Sequence, residues 1–373
     1  MVTFAIRIAF SARMNNRERD ISSVIIDAIN PYRWIMSLRN MMFDKGYKES
    51  REFHVATICI GNISVGGTGK TPHTEYLIEL LKANHSLAVL SRGYGRKSKG
   101  YIKAGDATPM PLIGDEPFQI KNKYPDIAVA VCERRVTGIE KLLAEEKGID
   151  VILLDDAYQH RHVKAGLNIL LIDSNRPIWC DRVLPFGRLR ESAAGIDRAD
   201  VVVITKCKDI TPGDAEWYRN QIGRYKKLPV FFSQMRYGNC YSLFKDAPAR
   251  NGKMPREVLL VTGIANPAPL KAEIERRGAK VTLMRFGDHH NFTTAELGAI
   301  DGKFRAIGCN DKAIITTEKD ATRLLQRNDL PPAIKESTYV LPIKIEIMAD
   351  GQKEFNQIIE DYVTENPRDS RIP

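Results

Sequence analysis

The sequence lacks several features that would fix a function class at once. Its six cysteines, at positions 59, 132, 180, 207, 240 and 309, form no C-x-x-C pair. Several lie in apolar, strand-like runs, which argues for buried thiols in a reducing compartment and against a disulfide framework. No apolar run reaches the ~18–20 residues needed to cross a bilayer. The opening "MVTFAIRIAFSAR" carries two arginines but no small-residue cleavage site of a secretory leader. The expected location is therefore the cytoplasmic side. Internal repeats and low-complexity segments are missing, and so is any nucleic-acid recognition motif or interleaved aromatic–basic patch.

What is present describes a globular chain. With 373 residues, 43% apolar and 27% charged, it has room for two domains and a sizeable core. The net charge of +10 favours anionic partners without choosing among them. Continuous apolar runs at 55–61, 86–93, 126–132, 149–156, 167–173 and 199–206 are separated by helical patterns such as 71–85. Strands apolar on both faces predict a mostly parallel sheet covered by helices on each side. The pattern loosens near 208–255 and resumes with helices at 268–277, 293–306 and 320–327 and strands at 279–284 and 312–317. The expected organisation is an amino-terminal helical arm (1–50), a core α/β domain (51–240) and a smaller α/β domain (241–373) closing over the active site.

The strongest local signal is "GNISVGGTGKTP" at 61–72. A strand, a glycine-rich turn and a helix in that order form a phosphate-binding loop. Gly66, Gly67 and Gly69 let the backbone point successive N–H groups at one anion, and the helix start adds its positive end. Lys70 is suited to the β- and γ-phosphates and Thr71 to Mg²⁺. The nucleotide-binding set is Ser64, Val65, Gly66, Gly67, Thr68, Gly69, Lys70 and Thr71. Ser64 occupies the position of the usual first glycine, which weakens the pattern match but not the chemistry. Asp155 and Asp156, at the end of "VILLDD", fit the acidic strand end that such a loop needs for its metal; spacing does not say which one touches the ion.

Other segments are weaker alone. "SRGYGRKSKG" (91–100) follows a strand, where ligands of open α/β sheets bind, and its basic residues suit either an anionic group or a flexible basic loop. "GDEP" (114–117) reads as a turn. "FGDHHNF" (286–292) favours an acid–base role over a zinc site. "TEKDATRL" (317–324) places Asp320 near a helix start, where a cap and a catalytic duty are equally reasonable.

Taken in order, "GNISVGGTGKTP", "SRGYGR", "GDEP", "DDAYQH", "LPFGRLRE", "DHHNF" and "TEKDATRL" resemble the tetraacyldisaccharide 4′-kinase family of lipid A biosynthesis over roughly residues 55–325. The displaced first glycine is normal for that family. The resemblance implies a P-loop NTPase-like fold, ATP and Mg²⁺, and phosphorylation of the 4′-hydroxyl of a tetraacylated glucosamine disaccharide 1-phosphate. It implies Asp115 as base with His289 assisting, and Lys70, Asp155 and Asp156 around the transferring phosphoryl group. Thr71, Glu116 and Asp156 would serve the metal, and Arg92, Arg96, Gln159, His160, Arg190 and Glu191 the substrate. One departure is Ala157, where the family usually has glycine after the two aspartates. Alanine is tolerable there only if the residue needs no positive φ.

A lipid substrate draws attention to "NPYRWIMSLRNMMFDKG" (30–46). Asn30 fits an N-cap and Pro31 the first helical position. Trp34, Ile35, Leu38, Met41 and Met42 make an apolar stripe with Arg33, Arg39 and Lys45 nearby. Such an amphipathic helix packs on its own protein or lies on the inner-membrane surface of a Gram-negative cell. No obligate protein partner is evident. The alternative class is a P-loop GTPase or metallochaperone: "VITKCKD" (203–209) is similar to a guanine-reading N-K-x-D, with Thr205 in place of the asparagine.

Overall fold

The computed structural model describes residues 29–365, apart from 246, 249, 251, 252, 289, 349 and 350. Along the chain run α1 (Pro31–Asp44), β1 (Ala56–Gly61), α2 (Lys70–Leu81), β2 (Leu87–Ser91), β3 (Ile102–Lys103), α3 (Met110–Ile113), α4 (Asp115–Lys123), β4 (Ala128–Val131) and α5 (Arg135–Glu145). Next come β5 (Val151–Asp155), β6 (Leu167–Asp173), β7 (Val201–Thr205), α6 (Pro212–Gly223), β8 (Val230–Tyr237), β9 (Tyr241–Ser242) and β10 (Glu257–Thr262). The last part holds α7 (Ala268–Arg276), β11 (Lys280–Arg285), α8 (Thr294–Arg305), β12 (Lys312–Thr316), α9 (Glu318–Leu325), α10 (Pro332–Ser337), β13 (Thr338–Val340), β14 (Ile343–Ile347) and α11 (Gly351–Glu365).

The chain forms two compact units, and neither is continuous in sequence. Among the described residues, the first comprises 29–91, 135–234 and 347–365; the second comprises 92–134 and 235–346. The contiguous boundaries expected at 50/51 and 240/241 differ from this: no break falls near residue 50, so the described part of the arm belongs to the first unit. Residues 92–134 belong to the second unit, and the last helix belongs to the first. Local periodicity carries no information on such returns.

In the first unit the strands run β8-β7-β6-β1-β5-β2, and each pairing is parallel. β1, β2, β5 and β7 are buried at every position. That is why they read as unbroken apolar runs: helices cover both faces and no position meets water. α2 packs on β1 and β5. α11 packs its buried Phe355 against Phe231, with ring centroids 5.2 Å apart. Its Tyr362 hydroxyl donates to the Thr57 carbonyl and accepts from the Thr57 amide.

The second unit is built on a smaller sheet ordered β11-β10-β12-β13-β9, parallel except for β13 with β9. Alternate residues of β10 face two cores. Leu259 and Val261 pack with Phe304 and Ile314, while Val258 and Leu260 pack with Leu270, Ile274 and Ile315. This is strand periodicity acting on a sheet covered on both sides. α8 begins at a capping box in which Thr293 and Glu296 satisfy each other's backbone N–H groups. α4 packs against α9. The expected α/β class, a mostly parallel sheet flanked by helices with a second smaller sheet, is what the structure has.

All six cysteines are unbridged, with Cys59, Cys132 and Cys207 buried. Burial pushes the Cys59 and Cys207 thiols up to about 12, so they behave as small apolar side chains.

Candidate active site

The loop after β1 answers the question of the missing glycine. Among its residues only Gly66 (φ 119°) and Gly69 (φ 90°) take a left-handed backbone. Ser64 does not: it forms an antiparallel bridge with Leu189, and the Val65 amide donates to the Arg188 carbonyl at 2.6 Å. Any L-residue fits that geometry, so serine carries no penalty. Asn62, fully buried, donates from Nδ2 to Thr68 Oγ1 at 2.8 Å and ties the two ends of the loop together. Lys70 and Thr71 open α2, so the positive end of that helix lies at the end of the loop.

Beneath the loop, His73 binds the Gly69 carbonyl through Nδ1 (2.7 Å) and Ser233 Oγ through Nε2 (2.9 Å). A carbonyl only accepts, so Nδ1 carries the proton and Nε2 accepts from the hydroxyl. Burial pushes the imidazole down to about 4, and it stays neutral at physiological pH.

Asp155 and Asp156 occupy different environments. Asp155 ends β5 fully buried, with Thr74 Oγ1 3.4 Å from its Oδ1. Asp156 has a left-handed backbone (φ 47°), which turns its side chain toward Lys70 Nζ at 3.5 Å and Arg190 NH1 at 2.9 Å. Burial pushes its carboxyl up, but Lys70 and Arg190 together outweigh this and hold it below the usual range. The positive φ therefore falls on Asp156 and not on Ala157, and the alanine is unstrained. Close approach is met elsewhere: a Cβ on Gly61 would lie 2.6 Å from Tyr158 Cβ.

Three of the residues expected to serve the substrate, Arg190, Gln159 and Glu191, form a chain that starts on this aspartate. Arg190 also reaches Gln159 Oε1 (3.2 Å), and Gln159 Nε2 donates to the Asn62 carbonyl (2.7 Å) and Glu191 Oε1 (2.9 Å). Glu191 is buried and takes Arg198 (2.7 Å) and Asn40 (2.8 Å). His160 accepts through Nε2 from the Arg135 amide at 3.2 Å, a helix-start contact. Helix α1 is wired into the same cluster. Asn30 caps it and donates to the Leu184 carbonyl, Tyr32 donates to the Arg190 carbonyl, and Arg39 donates to the Gln159 carbonyl. Its opposite face leaves Trp34, Ile35, Leu38 and Met41 exposed, whereas Met42 is half-buried.

The second unit holds Arg92, Arg96, Asp115 and Glu116. Arg92 is exposed. Arg96 differs from its expected substrate role: its side chain is buried and NH2 binds Glu133 and the Gly100 carbonyl, bracing its own loop. Asp115 and Glu116 form the first turn of α4, after Gly114 at φ 90°. Asp115 pairs with Arg323, a residue of the "TEKDATRL" segment given no role from sequence. Asp288 pairs with Lys319 at 2.8 Å, and His290 binds Glu296 at 2.9 Å. The Thr293 backbone and His290 hold the Glu296 carboxyl down to about 2. His289 lies outside the described residues.

Sequence reasoning missed Asn62, His73, Arg198, Arg323 and the inner face of α1. Arg198, Arg323 and α1 act through distant partners, whereas Asn62 and His73 also bond within the loop, to Thr68 and Gly69. In the alternative guanine-reading segment, Lys206 pairs with Asp173 at 2.6 Å.

Comparison with known proteins agrees with this geometry. The family model for LpxK, tetraacyldisaccharide-1-P 4′-kinase, matches residues 23–364. A tetraacyldisaccharide 4′-kinase of Bacteroides fragilis is 46% identical over 355 residues, covering 92% of this chain and 94% of that protein. The Flavobacterium johnsoniae protein of the same name is 40% identical over 337 residues, covering 90% and 95%. A crystal structure of LpxK from Aquifex aeolicus in complex with ATP superposes with a TM-score of 0.70 at 27% identity, covering 92% of this chain and 98% of that one. The chain belongs to the tetraacyldisaccharide-1-P 4′-kinase family.

Proposed function

We propose that the chain transfers the γ-phosphate of ATP to the 4′-hydroxyl of a tetraacylated glucosamine disaccharide 1-phosphate, a step of lipid A biosynthesis. The observation that carries this reading is the glycine loop with Lys70 set 3.5 Å from Asp156, in a chain of this family. Loop amides, the start of α2 and Lys70 supply fixed positive charge where the phosphoryl oxygens become more negative. Asp115 accepts the hydroxyl proton, with His289 as its assistant. As the sugar oxygen bonds to the γ-phosphorus, the bond to the β–γ bridging oxygen breaks and ADP leaves. Little covalent chemistry is asked of the protein, so positioning dominates.

The residues fit Mg²⁺, which takes oxygen ligands and is usually held by one or two carboxylates plus phosphates and water. Thr71 and Asp156 would hold it, with Asp155 buried beside them. Bound there, the ion would neutralise phosphate charge. Arg92, Gln159, His160, Arg190 and Glu191 remain assigned to the acceptor and its phosphate, directly or through one another.

Among the described residues no helix is long and apolar enough to cross a membrane. We place the protein on the cytoplasmic face of the inner membrane, held by the exposed face of α1, where Trp34, Ile35, Leu38 and Met41 would meet lipid.

The test is transfer of labelled γ-phosphate from ATP to the tetraacyldisaccharide 1-phosphate, with Lys70→Ala as control. Labelled product is expected from the native chain and its loss from the variant. No product from folded native protein would overturn the assignment.

A further inference from the structure

We propose that Arg323 is a positioning residue for Asp115, and that buried Asp320 fixes Arg323 for this task. The inference rests on the reading of Asp115 as the base. Asp320 and Arg323 stand one turn apart on α9, so their side chains share a face. The Asp320 side chain is wholly buried, and its Oδ2 accepts from Thr262 Oγ1 (2.9 Å), the Gly263 amide (3.0 Å) and Thr317 Oγ1 (2.7 Å). Those donors come from the end of β10 and the start of α9, two rigid elements. Residue 263 must be glycine for this approach: a Cβ there would lie 2.6 Å from the Gly287 carbonyl oxygen and 3.1 Å from Asp320 Oδ1. Asp320 is therefore an anchored anion, and its Oδ1 lies 3.7 Å from Arg323 NH1.

Arg323 turns its other terminal nitrogen, NH2, to Asp115 Oδ2. A buried guanidinium is costly unless paired, and here two carboxylates share it. The planar fork can serve both at once, which a lysine ammonium does less well. Exposure is graded along the row: side-chain values are 0% for Asp320, 3% for Arg323 and 21% for Asp115. The most exposed of the three is the Asp115 carboxylate, at the first position of α4. Gly114 sets that position; a Cβ on it would lie 2.9 Å from the Tyr94 carbonyl oxygen. Holding one carboxylate oxygen removes rotation of the group and keeps its other oxygen in one place. In a reaction governed by alignment, that is worth more than a stronger but wandering base.

The test is steady-state kinetics on the full chain with Asp115→Ala, Arg323→Gln and the double variant. Arg323→Gln should lower kcat by roughly 10- to 100-fold and leave KM for ATP within about twofold, as expected when alignment and not nucleotide binding is lost. In the Asp115→Ala background it should cost nothing more, because its target is gone. Arg323→Lys, which keeps the charge in the same buried space, should recover part of the loss and carries the test if the glutamine variant does not fold. Native kcat in Arg323→Lys or Arg323→Gln would overturn the inference alone, provided Asp115→Ala is impaired. Equal cost of Arg323→Gln with and without Asp115 would also overturn it. Native kcat in Asp115→Ala would overturn the base reading and this inference together.

Discussion

Asp156 in the first unit and Asp115 in the second are both half-open carboxylates gripped by arginine, but they are supported differently. Asp156 has two cations, Lys70 at 3.5 Å and Arg190 at 2.9 Å, and Arg190 is itself held by Gln159. Around them Glu191, Arg198, Asn40 and Arg39 close a network fed by three stretches of chain. Asp115 pairs with Arg323, which arrives from 208 residues away. Asp156 is thus held between two cations of its own unit, and the pairing of Asp115 with Arg323 is backed by buried Asp320. Removing one partner of a buried charge pair is costly, because the other charge is left uncompensated.

The largest expected effects separate the two aspartates' surroundings. Asp115→Ala should lower kcat by about 10²–10⁴ with ATP affinity retained, as for loss of a general base. Lys70→Ala should cost about 10²–10³ in kcat and weaken ATP binding as well. Equal loss of affinity and turnover in Asp115→Ala, read by nucleotide titration beside kinetics, would erase the distinction. Next in size, Arg190→Met should reduce kcat by about tenfold, at the low end of the range for Arg323→Gln, because Lys70 still faces Asp156. A loss beyond about a thousandfold would show that Lys70 does not suffice to hold Asp156.

A smaller effect concerns stability. The folded pKa of His73 lies at about 4, below its ordinary value, so the fold favours the neutral ring. Its contribution is fully present above about pH 6.5 and is lost as pH falls toward 4, at up to about 1.4 kcal/mol per pH unit. Urea unfolding at about pH 7.5, 5.5 and 4.5 should show a steeper acid loss in the native chain than in His73→Gln. Parallel curves would mean that protonation of the ring is not resisted. The smallest effect on catalysis should come from the outer face of α1. Trp34→Glu with Leu38→Glu should reduce sedimentation with anionic phospholipid vesicles several-fold, while leaving kcat on detergent-dispersed substrate near native. Unchanged vesicle binding would reject the membrane contact. Deleting the whole helix would be a poor substitute, because Arg39 and Asn40 on its inner face hold Gln159 and Glu191.

Much of the fold was legible because its signals are local. β1, β5 and β7 announce themselves as apolar runs, and the helical pattern at 293–306 announces α8. Lys70 and Thr71 were legible because a phosphate loop is built within a dozen residues. The expectation for Arg96 shows the limit: a basic loop after a strand suggests an anion site, but Glu133 was the anion it found. Arg323 shows it more sharply, since nothing in "TEKDATRL" says that its arginine faces Asp115.

The sequence by itself determined the α/β class, the phosphate loop and the family, because hydrophobic period, glycine conformational freedom and ordered motifs are properties of neighbouring residues. Only the tertiary structure decided that Ser64 needs no glycine backbone, that Asp156 and not Ala157 takes the positive φ, and that α1 has one face on Gln159 and Glu191 and another in solvent. It alone paired Arg323 with Asp115 and returned α11 to the first unit. Charges and rings meet through the fold at separations of tens to hundreds of residues, and no local pattern encodes a partner that far away.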